Sequence, residues 1–273
     1  MIIVTDALNR ERHTDIIDEM YRLRARVFQD RLGWDVKVTD GREFDEFDAL
    51  DPVYIIALDE SGHVVGCMRL LQTTGPHMLS DVFHEILDGE PPLRSAQVWE
   101  ATRFCVDTER LSRSGRASNS ISYVTSEVMI AAFEYGQEAG ILDAVAVIDP
   151  VMNRVMIRSG NAPYDYLGTA KPMGKVTAMA ALMDCSEERV ARIREFSGIT
   201  HDVFTPEHVV RAVFEAAHAP TTHDHLPEAL KSYLDEQIAA AGTADELRDA
   251  KALAATLATR FSREEDQRYQ SVH

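Results

Sequence analysis

Cysteine is scarce in this chain: Cys67, Cys105 and Cys185 are the whole complement, and they lie far apart. An odd, scattered set suggests neither a disulfide framework nor the close pairs of a zinc site. Basic charge is also short. The 28 lysines and arginines face 45 aspartates and glutamates, for a net charge of -17. A surface of that sign repels phosphate backbones and anionic lipids, so neither nucleic acid nor a membrane is expected as the main partner. No apolar run approaches the ~20 residues needed to cross a bilayer. The opening Met1-Ile2-Ile3-Val4-Thr5-Asp6 lacks the basic region and apolar core of a secretory signal, which leads to the expectation of a cytoplasmic protein.

What is present is ordinary for a globular chain: 45% hydrophobic and 27% charged residues. A length of 273 residues suits one large domain, or a domain of roughly 200 residues with an appendage. Residues 14–32 have apolar positions Ile16, Met20, Leu23 and Val27 at helical spacing, with Thr14 to cap and Gly33 to stop. Residues 35–51 are polar and acid-rich. Residues 53–58 and 63–72 read as a hairpin across Asp59-Glu60-Ser61-Gly62. A short helix over 79–87 precedes a strand around Glu100. Residues 116–139 form a helix, 142–148 a buried strand, and Asp149-Pro150 opens another helix that closes at Gly160. Residues 175–183 make a last strand. Interleaved strands and helices with an early hairpin give an α/β fold with a mixed sheet flanked by helices.

After residue 198 the pattern changes. Helix starts at Thr205-Pro206, Pro227 and the capping-box sequence Thr243-Ala244-Asp245-Glu246 follow one another without an intervening strand. The division expected is therefore a body over 1–198 and an all-helical extension over 199–273, which serves packing or homodimer contacts. His218, His223 and His225 cluster in this extension. Without a Cys or acidic partner they read as a solvated linker, and no metal is expected.

The stretch that carries chemistry is Trp99-Glu100-Ala101-Thr102-Arg103-Phe104. It places an acid and a base inside an apolar strand, where a charge is costly unless paired or used. Strand alternation puts Glu100 and Thr102 on one side and Arg103 on the other. Arg69 repeats the pattern within Val64-Val65-Gly66-Cys67-Met68-Arg69-Leu70-Leu71. Arg24 and Phe28, four apart, share a helix face, and Trp34 follows its end. The plainer account is a structural ion network beside core aromatics.

The same residues resemble the acyl-homoserine-lactone synthases, the LuxI-type autoinducer synthases. The pattern is Arg24, Phe28 and Trp34, then Asp45 and Asp48 three apart, then Arg69-Leu70, then Glu100-x-x-Arg103-Phe104, in order across residues 1 to about 195. The resemblance implies an acetyltransferase-like (GNAT-like) sheet with a V-shaped opening for the acyl carrier arm. It implies two substrates, S-adenosylmethionine and an acyl thioester on acyl carrier protein or on coenzyme A. S-adenosylmethionine is then a substrate, and no cofactor is needed. Methylthioadenosine and the N-acyl-homoserine lactone are the products.

On that reading Glu100 is the general base for the substrate amine, with Arg103, Arg69 and Asp48 as the other catalytic residues. Arg24, Phe28, Trp34, Asp45 and Phe104 bind S-adenosylmethionine. Arg24 and Arg103 suit its carboxylate, and the two rings offer π faces to the sulfonium or adenine. Asp45 and Asp48 hold the amine or tether Arg69 and Arg103. Arg110, Arg113 and Arg116, before a helix, suit the phosphate of a carrier arm, with Lys171 and Lys175 as further candidates. The acyl pocket is drawn from Met129, Phe133, Val145, Ala146, Val147, Ile148, Met152 and Met156, all equally compatible with plain core.

Two departures from the family are visible. Thr102 stands where a serine is usual, keeping the hydroxyl. Ala146 and Ile148 stand where synthases favouring 3-oxo chains carry threonines, which predicts weak 3-oxo preference. The competing functions are a general N-acyltransferase acting on another amine with acyl-CoA, and a non-catalytic acyl-thioester-binding module. Chain length, carrier choice and oligomeric state are not written in the sequence.

Overall fold

The computed structural model describes residues 1–113, 117–174, 176–218, 226–243, 245–254 and 256–257. In chain order its elements are β1 (Ile2–Thr5), α1 (Thr14–Arg24), the short ribbon β2 (Val38–Thr39) and β3 (Arg42–Glu43), β4 (Val53–Leu58), β5 (Val64–Gln72), α2 (Met78–Asp81), β6 (Val98–Val106), α3 (Thr108–Arg113), α4 (Ala117–Glu138), β7 (Asp143–Ile148), α5 (Pro150–Arg158), β8 (Asp165–Met173), β9 (Val176–Asp184), α6 (Glu187–Ser197), α7 (Glu207–His218) and α8 (Glu228–Ala240).

Seven strands form one sheet in the order β1-β4-β5-β6-β7-β9-β8. All neighbours are antiparallel except β6 and β7, which are parallel. Only three rungs join that parallel pair: Val98 with Asp143, Trp99 with Ala144 and Glu100 with Val145. Both strands continue past the last rung, so the sheet splits from residue 101 onward. This is the expected acetyltransferase-like opening.

Alternation along the strands packs apolar residues against both faces of the sheet. Val53, Ile55, Met68 and Leu70 face α4 and α6 with Met129, Phe133 and Ile193. Tyr54, Ile56, Cys67 and Cys105 face α1 with Met20, Leu23 and Phe28. Asp149 caps α5 by accepting from the Met152 amide at 2.7 Å, with Pro150 in the first turn.

The helix expected over 14–32 changes character at its middle. Residues Ala25–Arg31 form a π-helical turn, and the amide of Leu32 reaches back five residues to the carbonyl of Val27. Such turns are frequent at functional sites. Four strands escaped the sequence: β1, the short β2 and β3 of the acidic segment, and β8, whose Gly168 and Pro172 break the alternation. Gly168 has φ of 59°, and a Cβ there would lie 1.8 Å from the carbonyl oxygen of Ile86. The edge strand thus needs glycine to approach that turn.

The boundary expected at residue 198 does not separate two cores. Ile199 and Val203 belong to the α4 core, and Val210 and Phe214 of α7 belong to the α1 core. Nor is the extension wholly helical, since Phe204 makes a parallel bridge to Ile2. His218 stacks on Phe214 at 4.0 Å and lies edge-on to His63 at 5.2 Å. His223 and His225 fall outside the described residues.

Candidate functional site

Three guanidiniums and three carboxylates meet on the α1 face of the sheet. Arg24, from the last turn of α1, donates Nε to Glu43 and both Nη atoms to Asp48 at 2.8 Å each. Arg69 of β5 pairs with Asp45 and with Asp48, the latter at 2.8 Å, and its Nε donates to Thr102 Oγ1 at 3.0 Å. Arg103 donates Nε to Glu43 at 3.1 Å and Nη2 to Asp45 at 2.7 Å. Asp45 and Asp48 are set by their own capping box, in which each side chain accepts a backbone amide of the same turn.

Asp48 is the buried anchor of this network. Besides the two arginines it accepts from the Tyr54 hydroxyl at 2.8 Å, and Tyr21 extends the chain to Tyr54 at 3.0 Å. Burial alone would raise its carboxyl, but the Arg24 hydrogen bonds and the charges of Arg24 and Arg69 outweigh that and hold it well below the usual range. Burial opposes the charge on Arg24 likewise, and Asp48 and Glu43 overcome it, keeping the guanidinium firmly protonated.

Arg103 reaches the cluster by an irregular route. Alternation would send it to the opposite face from Glu100 and Thr102. Instead β6 bulges, because Arg69 pairs with Thr102 while Cys67 pairs with Cys105, leaving two β6 residues opposite Met68 alone. Arg103 takes φ of 51° there, a left-handed conformation uncommon for a side-chain-bearing residue. Thr102 and Arg103 therefore both serve the same face, correcting the alternation reading. Phe104 lands on the other face, packed against the α4 core, so it does not join the residues assigned to S-adenosylmethionine.

Glu100 is fully buried beside this cluster. Its two carboxylate oxygens accept the amides of Met78 and Leu79, at the start of α2, at 2.7 Å each. Burial pushes its pKa up to about 7, against the pull of those two amides and of Arg69. Met78 also offers its thioether to Arg69 at 3.3 Å and to Arg103 at 3.5 Å. Glu100 and Arg103 are thus linked through one residue.

Exposure divides the sequence candidates into anchors and open groups. Arg24 and Arg69 are fully enclosed, whereas the Arg103 side chain is 13% exposed and Asp45 14%. Arg24 is therefore taken up by Glu43 and Asp48, and of the three arginines Arg103 is the one left partly open. Trp34 stacks on Phe28 with centroids 5.1 Å apart, and the Arg103 guanidinium lies 5.8 Å from the Phe28 centroid. Phe28 is 2% exposed and Trp34 41%, so only Trp34 has an open ring face. Glu43, Tyr54 and Met78 were not anticipated as members. Glu43 sits two residues before Asp45 in the acidic segment, and nothing in its type distinguishes it from its exposed neighbours.

The acyl residues separate by strand parity. Ala146 and Ile148 face Met129, Phe133, Met152 and Met156 in the α4 core. Val145 and Val147 face the opposite cluster, with Leu79, Val98 and Ala180, and leave the expected pocket. Arg110 is paired with Asp59 at 2.7 Å. It lines a cavity of about 1530 Å³ at the end of the sheet, with Arg31, Tyr123, Glu127 and Ala240. None of the cluster residues lines that cavity. Lys171 pairs with Asp88. Arg116 and Lys175 lie outside the described residues, as does the side chain of Arg113. Among the described residues no group of His, Cys, Asp and Glu is arranged for a metal ion, and no helix is long and apolar enough to cross a membrane.

Comparison with known proteins gives concordant matches. The family model for autoinducer synthases matches residues 7–193. An acyl-homoserine-lactone synthase of Aeromonas hydrophila is 37% identical over 194 residues, spanning 70% of this chain and 91% of that protein. The solved structure of LasI, an AHL synthase, matches with a TM-score of 0.62 at 31% identity, over 71% of this chain and 94% of that one. The CoA-dependent acyl-homoserine lactone synthase BjaI, solved with SAM and isopentyl-CoA, matches with a TM-score of 0.65 at 27% identity, over 78% and 98%.

Proposed function

The chain belongs to the autoinducer synthase family, and from that membership we propose how its split sheet makes an N-acyl-homoserine lactone. It is an acyltransferase that produces a quorum-sensing signal. The acceptor is S-adenosylmethionine. The donor is an acyl thioester on a pantetheine arm, the part common to acyl-CoA and acyl carrier protein, entering between β6 and β7 where their pairing ends.

The amine must lose its proton before it attacks the thioester carbonyl. An α-amino group with a pKa near 8 is mostly protonated at neutral pH. Glu100, raised to about 7 by burial, is matched to take that proton, a role worth roughly 10²–10⁴-fold. Each of its oxygens keeps a lone pair after accepting one amide. Amides on the β7-facing edge of β6 beyond residue 100 have no ladder partner in β7 and suit the oxyanion. Collapse of the tetrahedral intermediate forms the amide and releases the thiol.

Ring closure then needs placement alone. The substrate carboxylate attacks its own γ-carbon and expels methylthioadenosine as a neutral thioether, so no acid is required. Effective molarities of about 10⁵–10⁸ M are available to well-oriented intramolecular attack. Arg103, the least enclosed guanidinium, holds the carboxylate, while Asp45 fixes Arg103. Trp34 gives its open face to the sulfonium or adenine.

The observation that carries this reading is the position of Glu100 at the last rung before the split, on the face that holds Arg103. The test is incubation with S-adenosylmethionine and matched acyl-CoA and acyl-carrier thioesters. Methylthioadenosine and an acylated lactone appearing together support it. Free thiol without methylthioadenosine, released only when a different amine is added as acceptor, indicates an acyltransferase for that amine, and no thiol release with any acceptor indicates a binding module.

A further inference from the structure

The Arg103 bulge has a side-chain support that the reaction chemistry does not use. Cys67 and Cys105 are directly opposed on β5 and β6, both buried, with sulfurs 3.5 Å apart. The Cys67 thiol also lies 3.5 Å from the carbonyl oxygen of Arg103. A carbonyl only accepts, so the Cys67 proton goes to Arg103 and Cys105 supplies its own to the Cys67 sulfur. Those contacts flank the register slip of the β5–β6 pair. Arg103 there holds a left-handed backbone (φ 51°), a conformation that persists only where neighbours over-determine it.

We infer that Cys67 is a positioning residue: its thiol fixes the carbonyl of Arg103, and so the aim of that guanidinium at the S-adenosylmethionine carboxylate. Cys67 itself touches no substrate. It acts through the backbone of one residue, whereas the ion pairs to Glu43 and Asp45 act on the guanidinium end. Both ends must be held, because a peptide rotation at residue 103 swings the side chain toward the opposite face of the sheet.

This inference rests on the assignment of Arg103 to the substrate carboxylate, and the test separates the two. Cys67→Ser keeps a donor of nearly the same size, and Cys67→Ala removes it. Cys105→Ala removes a neighbouring thiol from the same core cluster but leaves the Cys67 bond to Arg103. Steady-state kinetics would be measured for both substrates, with Arg103→Lys alongside. The expected result is a KM for S-adenosylmethionine raised about 3–10-fold in Cys67→Ala, the loss of one modest hydrogen bond. The KM for the acyl donor stays unchanged, Cys67→Ser stays within about twofold of the parent, and Cys105→Ala leaves the KM for S-adenosylmethionine alone. The inference is overturned if Cys67→Ser is as impaired as Cys67→Ala, if Cys105→Ala matches Cys67→Ala, or if Cys67→Ala behaves as the parent. If Arg103→Lys fails to raise the KM for S-adenosylmethionine, the carboxylate assignment itself falls. Should Cys67→Ala not fold, Cys67→Val, which fills the space without a donor, takes its place: a raised S-adenosylmethionine KM beside a normal Cys67→Ser supports the inference, and a parental KM in Cys67→Val overturns it.

Discussion

Glu100 of β6 sits opposite Val145 of β7 on the last shared rung of the two strands, and beyond it the sheet opens. The carboxylate thus stands at the apex of the cleft, with its oxygens held by the Met78 and Leu79 amides. Held by a strand and a helix start, that carboxylate has little freedom to move, which suits the proton-accepting role proposed for it. That rigidity is what proton transfer from a bound amine requires.

Asp45 and Asp48 are three residues apart and are expected to fail differently. Asp48 is 5% exposed and serves two buried arginines. Replacing it with Asn leaves guanidinium charge uncompensated and is expected to cost about 3–5 kcal/mol of stability. Asp45 is more open and meets Arg103 as well as Arg69, and Arg69 keeps Asp48 as a partner when Asp45 is neutralised. Asp45→Asn is expected to fold nearly as well while raising the KM for S-adenosylmethionine about tenfold, a charged hydrogen bond's worth. Urea denaturation and steady-state kinetics of both variants check this; equal stability losses would contradict it.

Trp34 is 41% exposed with one free ring face. Trp34→Ala is expected to raise the KM for S-adenosylmethionine by roughly 2–30-fold, the range spanned by a cation–π contact of about 0.5–2 kcal/mol. Its melting temperature should change little. Trp34→Phe should recover part of the binding. An unchanged KM in Trp34→Ala would remove the residue from the substrate pocket.

Much of this site was legible because its residues are chemically conspicuous. Charged side chains in apolar strands must be paired or used, and Arg69, Glu100 and Arg103 all are. Their partners in the acidic segment were visible as a pair, Asp45 and Asp48, but Glu43 looked like any solvated acid. The bulge was hidden for a different reason. A left-handed residue in a strand is normally announced by glycine, and here the position is an arginine held by side chains from elsewhere. The alternation reading failed there accordingly: Arg103 joins the face of Glu100 and Thr102, and Phe104 takes the other. Parity also split Val145 and Val147 from Ala146 and Ile148, a consequence of strand geometry that was available from the sequence. The π-helical turn after Arg24 has no residue signature, since Ala25 to Arg31 suits an α-helix equally well.

The extension is tied to the body at a tight point. Gly62 has φ of 83°, and a Cβ there would lie 2.5 Å from the carbonyl oxygen of Val213 in α7. Gly62→Ala is expected to destabilise by more than about 1 kcal/mol through strain and lost docking of α7. Limited proteolysis should then cut the extension faster than in the parent. Equal cleavage rates would show that α7 docks without that contact.

Ionising Glu100 should also register in stability. Its folded pKa of about 7 lies above the ordinary glutamate value of 4.5, so the folded state binds the extra proton across that window. Stability contributed at this position therefore falls as pH rises from about 4.5 to about 7. Denaturation midpoints of the parent and Glu100→Gln across that range should converge or cross toward the alkaline side. A pH-independent difference would place the folded pKa near the ordinary value.

The most direct measurement is the single-turnover rate of amide formation against pH, with saturating S-adenosylmethionine and acyl thioester, for the parent and Glu100→Gln. The parent rate should climb through an apparent pKa near 7, and the variant should be at least about 10²-fold slower and lack that limb. A folded Glu100→Gln protein with the parent's rate and the parent's pH limb would contradict a proton-accepting carboxylate at the apex of the cleft.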